Sequence, residues 1–325
     1  MTVSETVRIR DFVITKKDWI FAVVSYDNTK FIQGLLRYVP DKSGDRVRRD
    51  GKRFRKVGFE EARQLTQKSG KCQNGLYAIP YEDVAELKRP QQYVEQCDDV
   101  HVSKILELLE GYGIRRRCMG VTGSRLVGLA AESSDVDFVL YGKPSFERGR
   151  AALRDAVECG LLPPIGTHMW QRIYQKRTPE LTFEEFVLHE QRKWNRGLIE
   201  KTYFDLLFVR EFDEIAIEPR GVDEGFATVR AEVSNACYAF DSPAIYEIEH
   251  EAVKKVLSYT HTYAGQAHEG EVIEARGTCN EAGSTCLIVG TTRAARGEWI
   301  KSCTLLLSRE YGAGGGERSR QLGPR

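Results

Sequence analysis

Asp135 and Asp137 are separated by a single valine and followed by Phe138, Val139 and Leu140. On a strand, side chains alternate, so the two carboxylates share one face. Carboxylates side by side repel each other, and apolar neighbours make their charge costlier still. A divalent cation resolves that conflict, and Mg²⁺ takes a few carboxylates together with substrate phosphates. Ten residues, Arg125 to Ser134, separate Asp135 from Ser124, which closes the run Met119-Gly120-Val121-Thr122-Gly123-Ser124. A strand that ends in Gly-Ser and turns into a helix suits a phosphate. Gly123 lets the backbone approach closely, and Ser124 adds a hydroxyl beside the open N–H groups of a helix start. A third acid, Asp205, stands alone inside Tyr203-Phe204-Asp205-Leu206-Leu207-Phe208-Val209, where an unpaired carboxylate is expensive. Beside the other two it completes a site for two metals, one to activate an attacking hydroxyl and one to steady a leaving pyrophosphate. Simpler uses stay open: Asp135 and Asp137 could cap a turn, and Asp205 could be the partner of a buried arginine.

The pattern apolar–Gly–Ser, ten residues, Asp–apolar–Asp–apolar and a later apolar–Asp–apolar resembles the polymerase β-like nucleotidyltransferase superfamily. The form Gly123-Ser124-Arg125-x-x-Gly128 with Ser134-Asp135-Val136-Asp137 is most similar to the minimal nucleotidyltransferases of prokaryotes. The chain as a whole resembles an uncharacterised archaeal group of predicted nucleotidyltransferases. The motifs cover only residues 114–142 and 203–209. The resemblance implies a nucleoside triphosphate substrate held by Gly123, Ser124 and Arg125. It also implies two Mg²⁺ ions on Asp135, Asp137 and Asp205, and transfer of a nucleoside monophosphate to an acceptor hydroxyl, with RNA the favoured acceptor. In this reaction class metals do most of the activation, so His168 and His189 are expected to be structural. Two rivals stand beside that reading: a non-catalytic RNA-binding protein on the same fold, and a toxin–antitoxin-type enzyme that modifies a protein hydroxyl.

The elements that must position these residues read as α+β, a central nucleotidyltransferase domain of mixed sheet and helices flanked by two β-rich domains. Residues 1–95 form the first β-rich domain, with strands expected at Val7–Thr15, Trp19–Tyr26 and Phe31–Val39. Within it a basic segment holds Arg46, Arg48, Arg49, Lys52, Arg53 and Arg55, and Asp50-Gly51 marks a hairpin. That hairpin, with Phe54 inside it, resembles a phosphate-tracking surface with a stacking aromatic, or else an edge ribbon protected by charge. Glu60–Lys68 reads as a short helix, and Pro90-Gln91-Gln92 as linker. Residues 96–215 form the central domain. In it Phe183–Trp194 reads as a helix, which carried onward would set Arg192 and Arg196 on one face four residues apart. There they would bind triphosphate or an RNA phosphate, or complement the helix dipole. Residues 216–308 are β-rich, with Glu251–Leu257 read as a helix. The stretch Thr291–Trp299 could face the active site or a nucleic acid, and the Gly-rich tail 309–325 is expected to be flexible.

Composition excludes several classes. With 41% hydrophobic and 29% charged residues over 325 positions, the chain reads as ordinary globular protein. A net charge of +1 means that nucleic-acid contact must come from local patches. No apolar run is long enough to span a bilayer, and the N-terminus lacks a secretory pattern. The eight cysteines contain no C-x-x-C pair, which points to reduced structural thiols, no thiolate metal site and a cytoplasmic setting. Base preference and oligomeric state leave no trace in the sequence.

Overall fold

A computed structural model describes residues 7–67, 72–73, 76–219, 221–281, 285–290 and 297–314. The chain is α+β and divides into two compact units. The first takes residues 1–165 and 194–217; the second takes 166–193 and 218–325. The boundaries differ from the expected ones in two ways. Residues 95 and 96 lie within one unit. The segment 166–193, expected in the central domain, folds with the C-terminal strands.

The first unit contains two sheets. The N-terminal sheet runs β4 (Arg46–Val47), β5 (Arg53–Lys56), β3 (Ile32–Pro40), β2 (Ile20–Val23), β1 (Phe12–Thr15), β8 (Val84–Lys88). Beside β3 lies β7 (Leu76–Ile79), which pairs with β6 (Cys72–Gln73). Its strands β1 and β2 are apolar on both faces, as buried strands are. Val13, Phe21, Leu36 and Ile79 pack on one side with Ala62 of helix α1 (Phe59–Gln67). Phe12, Ile14, Ile20, Tyr38 and Phe54 pack on the other, against Leu126, Val127 and Leu129. The expected strand from Val7 to Thr15 is broken at Arg10, which takes a left-handed conformation with φ 74°. The hairpin expected at Asp50-Gly51 forms, with Gly51 at φ 81°.

The second sheet is four-stranded, in the order β11 (Arg196–Ile199), β12 (Thr202–Val209), β10 (Val136–Tyr141), β9 (Met119–Thr122). β10 and β12 run parallel; the two outer pairings are antiparallel. Helix α5 (Lys143–Glu158) covers the face of Leu140 and Leu206, where its Gly149 leaves room for both. The opposite face, carrying Val139, Tyr141, Leu207 and Val209, is covered by Ile9 and Tyr26 of the N-terminal region. Residues 90–95, expected as linker, form helix α2 (Pro90–Glu95). Proline at its first position loses no helical hydrogen bond, and its Pro90 lies over Gly120 of β9. Helix α3 (Val100–Gly111) starts on Asp99, whose carboxylate accepts the N–H groups of His101 at 3.0 Å and Val102 at 3.2 Å.

In the second unit, β13 (Val222–Asn235) pairs with both β14 (Ala244–Glu249) and β16 (Val272–Glu281). β15 (Val253–Ser258) and β17 (Thr285–Val289) complete the path β13-β14-β15-β17-β16, which therefore closes into a small barrel, with β18 (Trp299–Ser302) added at β16. The helix expected over Glu251–Leu257 is the strand β15 instead. Val253, Val256 and Leu257 fit a helical spacing, but buried pairing on both sides overrides it. Helices α6 (Thr167–Arg177), α7 (Phe183–Gln191) and α8 (Cys303–Gly314) belong to the same unit. The tail beyond Gly314 and the stretch 291–296 lie outside the described residues. No described helix is long and apolar enough to cross a membrane.

His189, on α7, is fully buried. Its Nδ1 donates to the Glu185 carbonyl at 2.7 Å, and its Nε2 accepts the Ser302 N–H at 3.0 Å. These bonds require a neutral ring, and burial lowers its pKa from 6.5 to about 4. The unfolded chain thus binds a proton that the folded chain refuses. The stability this ring contributes is full above pH 6.5 and is lost as pH falls through 4, a swing of about 3 kcal/mol. Urea midpoints measured from pH 7.5 to 4 should fall accordingly, and His189→Gln should flatten that decline.

Candidate functional site

The register of the central sheet lines up one row of side chains. Asp137 on β10 lies opposite Thr122 of β9 on one side and opposite Asp205 of β12 on the other, and Asp205 lies opposite Arg196 of β11. Directly paired residues project to the same face. Thr122, Asp137, Asp205 and Arg196 therefore form a single line across the sheet. Asp135 immediately precedes β10 and is half-buried, as are Asp137 and Asp205.

The row has an electrostatic cost. Burial raises the Asp137 carboxyl from 3.8 to about 6, and the charges of Asp205 and then Asp135 push it the same way. Arg10 and Arg37 oppose that rise. Asp205 is steadied differently. Its Oδ1 accepts from Arg196 Nη1 at 2.8 Å and from Tyr203 Oη at 2.8 Å, while Arg196 Nη1 also reaches Tyr203 Oη at 2.8 Å. Asp205 is therefore the partner of a buried arginine, and its Oδ2 makes no hydrogen bond among the described residues.

Thr122 ends β9, and the chain turns at Gly123, whose φ is 73°. A Cβ on Gly123 would lie 2.3 Å from Asp137 Oδ2. Glycine is thus required twice, by its left-handed backbone and by the close approach of the acid. Ser124 follows in the short helix α4 (Gly123–Leu126), and its hydroxyl makes no hydrogen bond among the described residues.

The three arginines expected at a triphosphate are each paired with a carboxylate. Arg125 Nη1 is bonded to Asp99, and its Nη2 donates to the Ser134 carbonyl at 3.1 Å. It ties the start of α3 to the loop that delivers Asp135. Arg192 belongs to the second unit, where it makes a paired contact with Glu271 at 2.6 and 2.9 Å. Arg196 is held by Asp205. Arg192 and Arg196 do not share a helix face. Helix α7 ends at Gln191, Trp194 takes φ 50°, and Arg196 starts a strand.

The basic hairpin is also differently disposed. Arg46 pairs with Asp45, Arg48 with Asp50, Arg49 with Asp98, Lys52 with Asp18, and Arg55 with Asp41 and Glu61. Phe54 is fully buried beneath Arg48, 5.2 Å from its guanidinium, and offers no stacking surface. These pairings match an edge ribbon balanced by charge better than a surface that tracks phosphates.

Sequence reasoning missed Arg10 and Arg37. Neither lies in a motif. Arg10 shares the stretch Val7 to Ile14 with Arg8 and Asp11, so nothing local singles it out.

Among the described residues, no three His, Cys, Asp or Glu side chains stand close enough to enclose a metal as they lie. The described cysteines form no disulfide. A protein of Methanocaldococcus jannaschii named as uncharacterized protein MJ1086 is 38% identical to this chain over 341 aligned positions, spanning 91% of this chain and 98% of that protein. The chain belongs to the MJ1086 family. At 91% of this chain, the aligned span reaches well beyond the central sheet. No family model matches the chain, and no solved structure matches it.

Proposed function

We propose that this member of the MJ1086 family is a Mg²⁺-dependent nucleotidyltransferase. The observation that carries the reading is the in-register pair Asp137 and Asp205, with the Gly123 turn pressed against Asp137. A merely structural pair of acids on adjacent strands destabilises the sheet. Here the cost is concentrated on Asp137 and is relieved by binding a cation.

The donor set suits Mg²⁺: hard carboxylate oxygens from Asp135, Asp137 and Asp205, few enough to leave positions for phosphate and water. When bound, two such ions would supply charge neutralisation at the phosphates and an acidified acceptor hydroxyl. The chain's own residues do the rest. The Gly123 turn admits the phosphates without a side chain in the way, and the Ser124 hydroxyl is placed to bond them. Arg196 and Tyr203 fix Asp205 through Oδ1, leaving Oδ2 to take the acceptor's proton. The acceptor oxygen bonds to the α-phosphorus as the bond to the bridging oxygen breaks, and pyrophosphate leaves with that electron pair. The acceptor is an alcohol. The paired charges of the hairpin lend RNA no particular support.

The test is incubation of the purified chain with each α-labelled nucleoside triphosphate and Mg²⁺, with total RNA or total protein added. Label entering either fraction supports transfer and assigns the acceptor. No label from any triphosphate into either fraction, with no pyrophosphate released, would falsify the enzymatic reading.

A further inference from the structure

Residues flanking the first strands of the N-terminal sheet pack on the face of the central sheet that carries Asp137 and Asp205. Alternation along β10 and β12 sets Asp137, Val139 and Tyr141 on one face, together with Asp205, Leu207 and Val209. Ile9 and Tyr26 pack on the apolar members of that face. One residue on, the Arg10 carbonyl accepts the Thr122 hydroxyl at 2.6 Å, at the end of the same row that holds Asp137. The N-terminal sheet is therefore a wall of the candidate site.

Two arginines of this wall sit at irregular points of the backbone. Arg10 is left-handed, φ 74°, a conformation that costs a residue other than glycine on the order of 1 kcal/mol. Arg37 lies on a bulge: Tyr38 pairs with Ile20 and Leu36 with Phe21, so Arg37 has no opposite residue on β2. The bulge also switches the faces of the side chains, since Leu36 packs in one core and Tyr38 in the other. Bulges beside sites re-aim a side chain. The charges of both arginines reach Asp137, although they come from different elements of the other sheet.

A nucleoside triphosphate needs cations beyond the metals. Three carboxylates offset much of the charge two Mg²⁺ ions bring, so the triphosphate stays under-neutralised. We infer that Arg10 and Arg37 of the N-terminal sheet bind the β- and γ-phosphates of the substrate, so that the flanking domain forms half of the nucleotide site. This rests on the nucleotidyltransferase reading. Guanidinium is the group suited to phosphate, by virtue of its forked donors.

Inorganic tripolyphosphate with Mg²⁺, titrated calorimetrically, is the probe, because it carries the phosphates without base, sugar or turnover. Arg10→Asn is the first variant, since asparagine accepts the left-handed conformation; Arg37→Gln is the second. Melting temperatures verify folding. Each is expected to weaken tripolyphosphate binding roughly tenfold or more, the size of a lost charge-assisted hydrogen bond, and Arg37→Lys to restore part of it. Adenosine binding should not change. If the wild type binds tripolyphosphate and both variants bind it equally well, the arginines merely balance the acids and the inference is overturned, while the proposed activity stands. If the wild type binds neither tripolyphosphate nor any nucleoside triphosphate with Mg²⁺, the activity itself is overturned and this inference with it.

Discussion

Replacing Asp137 with asparagine is expected to leave the protein folded, to raise its melting temperature in the absence of divalent ions, and to abolish nucleotidyl transfer. The substitution keeps the shape of the side chain and removes its charge. In the native chain that charge is opposed by burial and by Asp205 and Asp135, which lift the carboxyl to about 6. At pH 8 the carboxylate is therefore held ionised against its surroundings. Allowing for solvent screening of a half-buried group, relief amounts to about 1–2 kcal/mol. The loss of transfer should be a hundredfold or more on the order of other single polar groups at reacting centres. Thermal unfolding with EDTA and with Mg²⁺ separates the two effects. The wild type should gain stability from Mg²⁺ and the variant little, since only a ligand bound to the native state stabilises it. Transfer at the wild-type rate would sink the assignment. A lower melting temperature in EDTA would show that Asp137 is held by partners rather than repelled.

The second large effect concerns helix α2. Gly120→Ala is expected to destabilise the first unit by about 2–3 kcal/mol, the cost of overpacking a closed contact. That corresponds to a drop of roughly 5–10 °C in its melting transition. A Cβ there would lie 2.6 Å from Pro90 Cβ and 2.7 Å from the Pro90 carbonyl carbon, and neither can swing away as the end of a long side chain would. Gly111→Ala, at the end of α3 with nothing within 4 Å of its Cβ position, is the matched control and should be neutral or slightly stabilising. Equal melting temperatures for the two variants would mean that residues 90–95 do not pack on β9.

That second case also shows where sequence reasoning stops. Pro90 followed by two glutamines reads as linker by polarity, yet proline at a helix's first position is equally a start signal. Only Val94, buried against the fold, decides between them. Asp205 stood out because a lone acid inside Tyr203–Val209 needs a partner, which Arg196 and Tyr203 supply, and Asp135 and Asp137 because alternation predicts a common face. Strand pairing was not legible. That Asp137 and Asp205 stand opposite each other depends on a parallel register, which sequence alternation leaves undetermined. The misreading of Arg192 and Arg196 arose from a helix carried past its end: nothing local announces that Trp194 turns left-handed. Arg10 and Arg37 act through a bulge and through docking of one sheet on another, both properties of distant pairings.

The return of the chain to the first unit at Trp194 has a bearing on how the protein is made. A ribosome delivers β9 and β10 early, so Asp135 and Asp137 emerge and meet the N-terminal sheet while β12 is still unmade. It then delivers α6 and α7, whose buried Trp170 and Phe186 belong to a unit that is not yet made. Only afterwards comes Asp205. At roughly 5–20 residues per second, the nascent chain spends several seconds with two acids but not the third, and with the apolar residues of α6 and α7 uncovered. The third carboxylate is the last part of the row to be synthesised, so the row is complete only when most of the chain has been made.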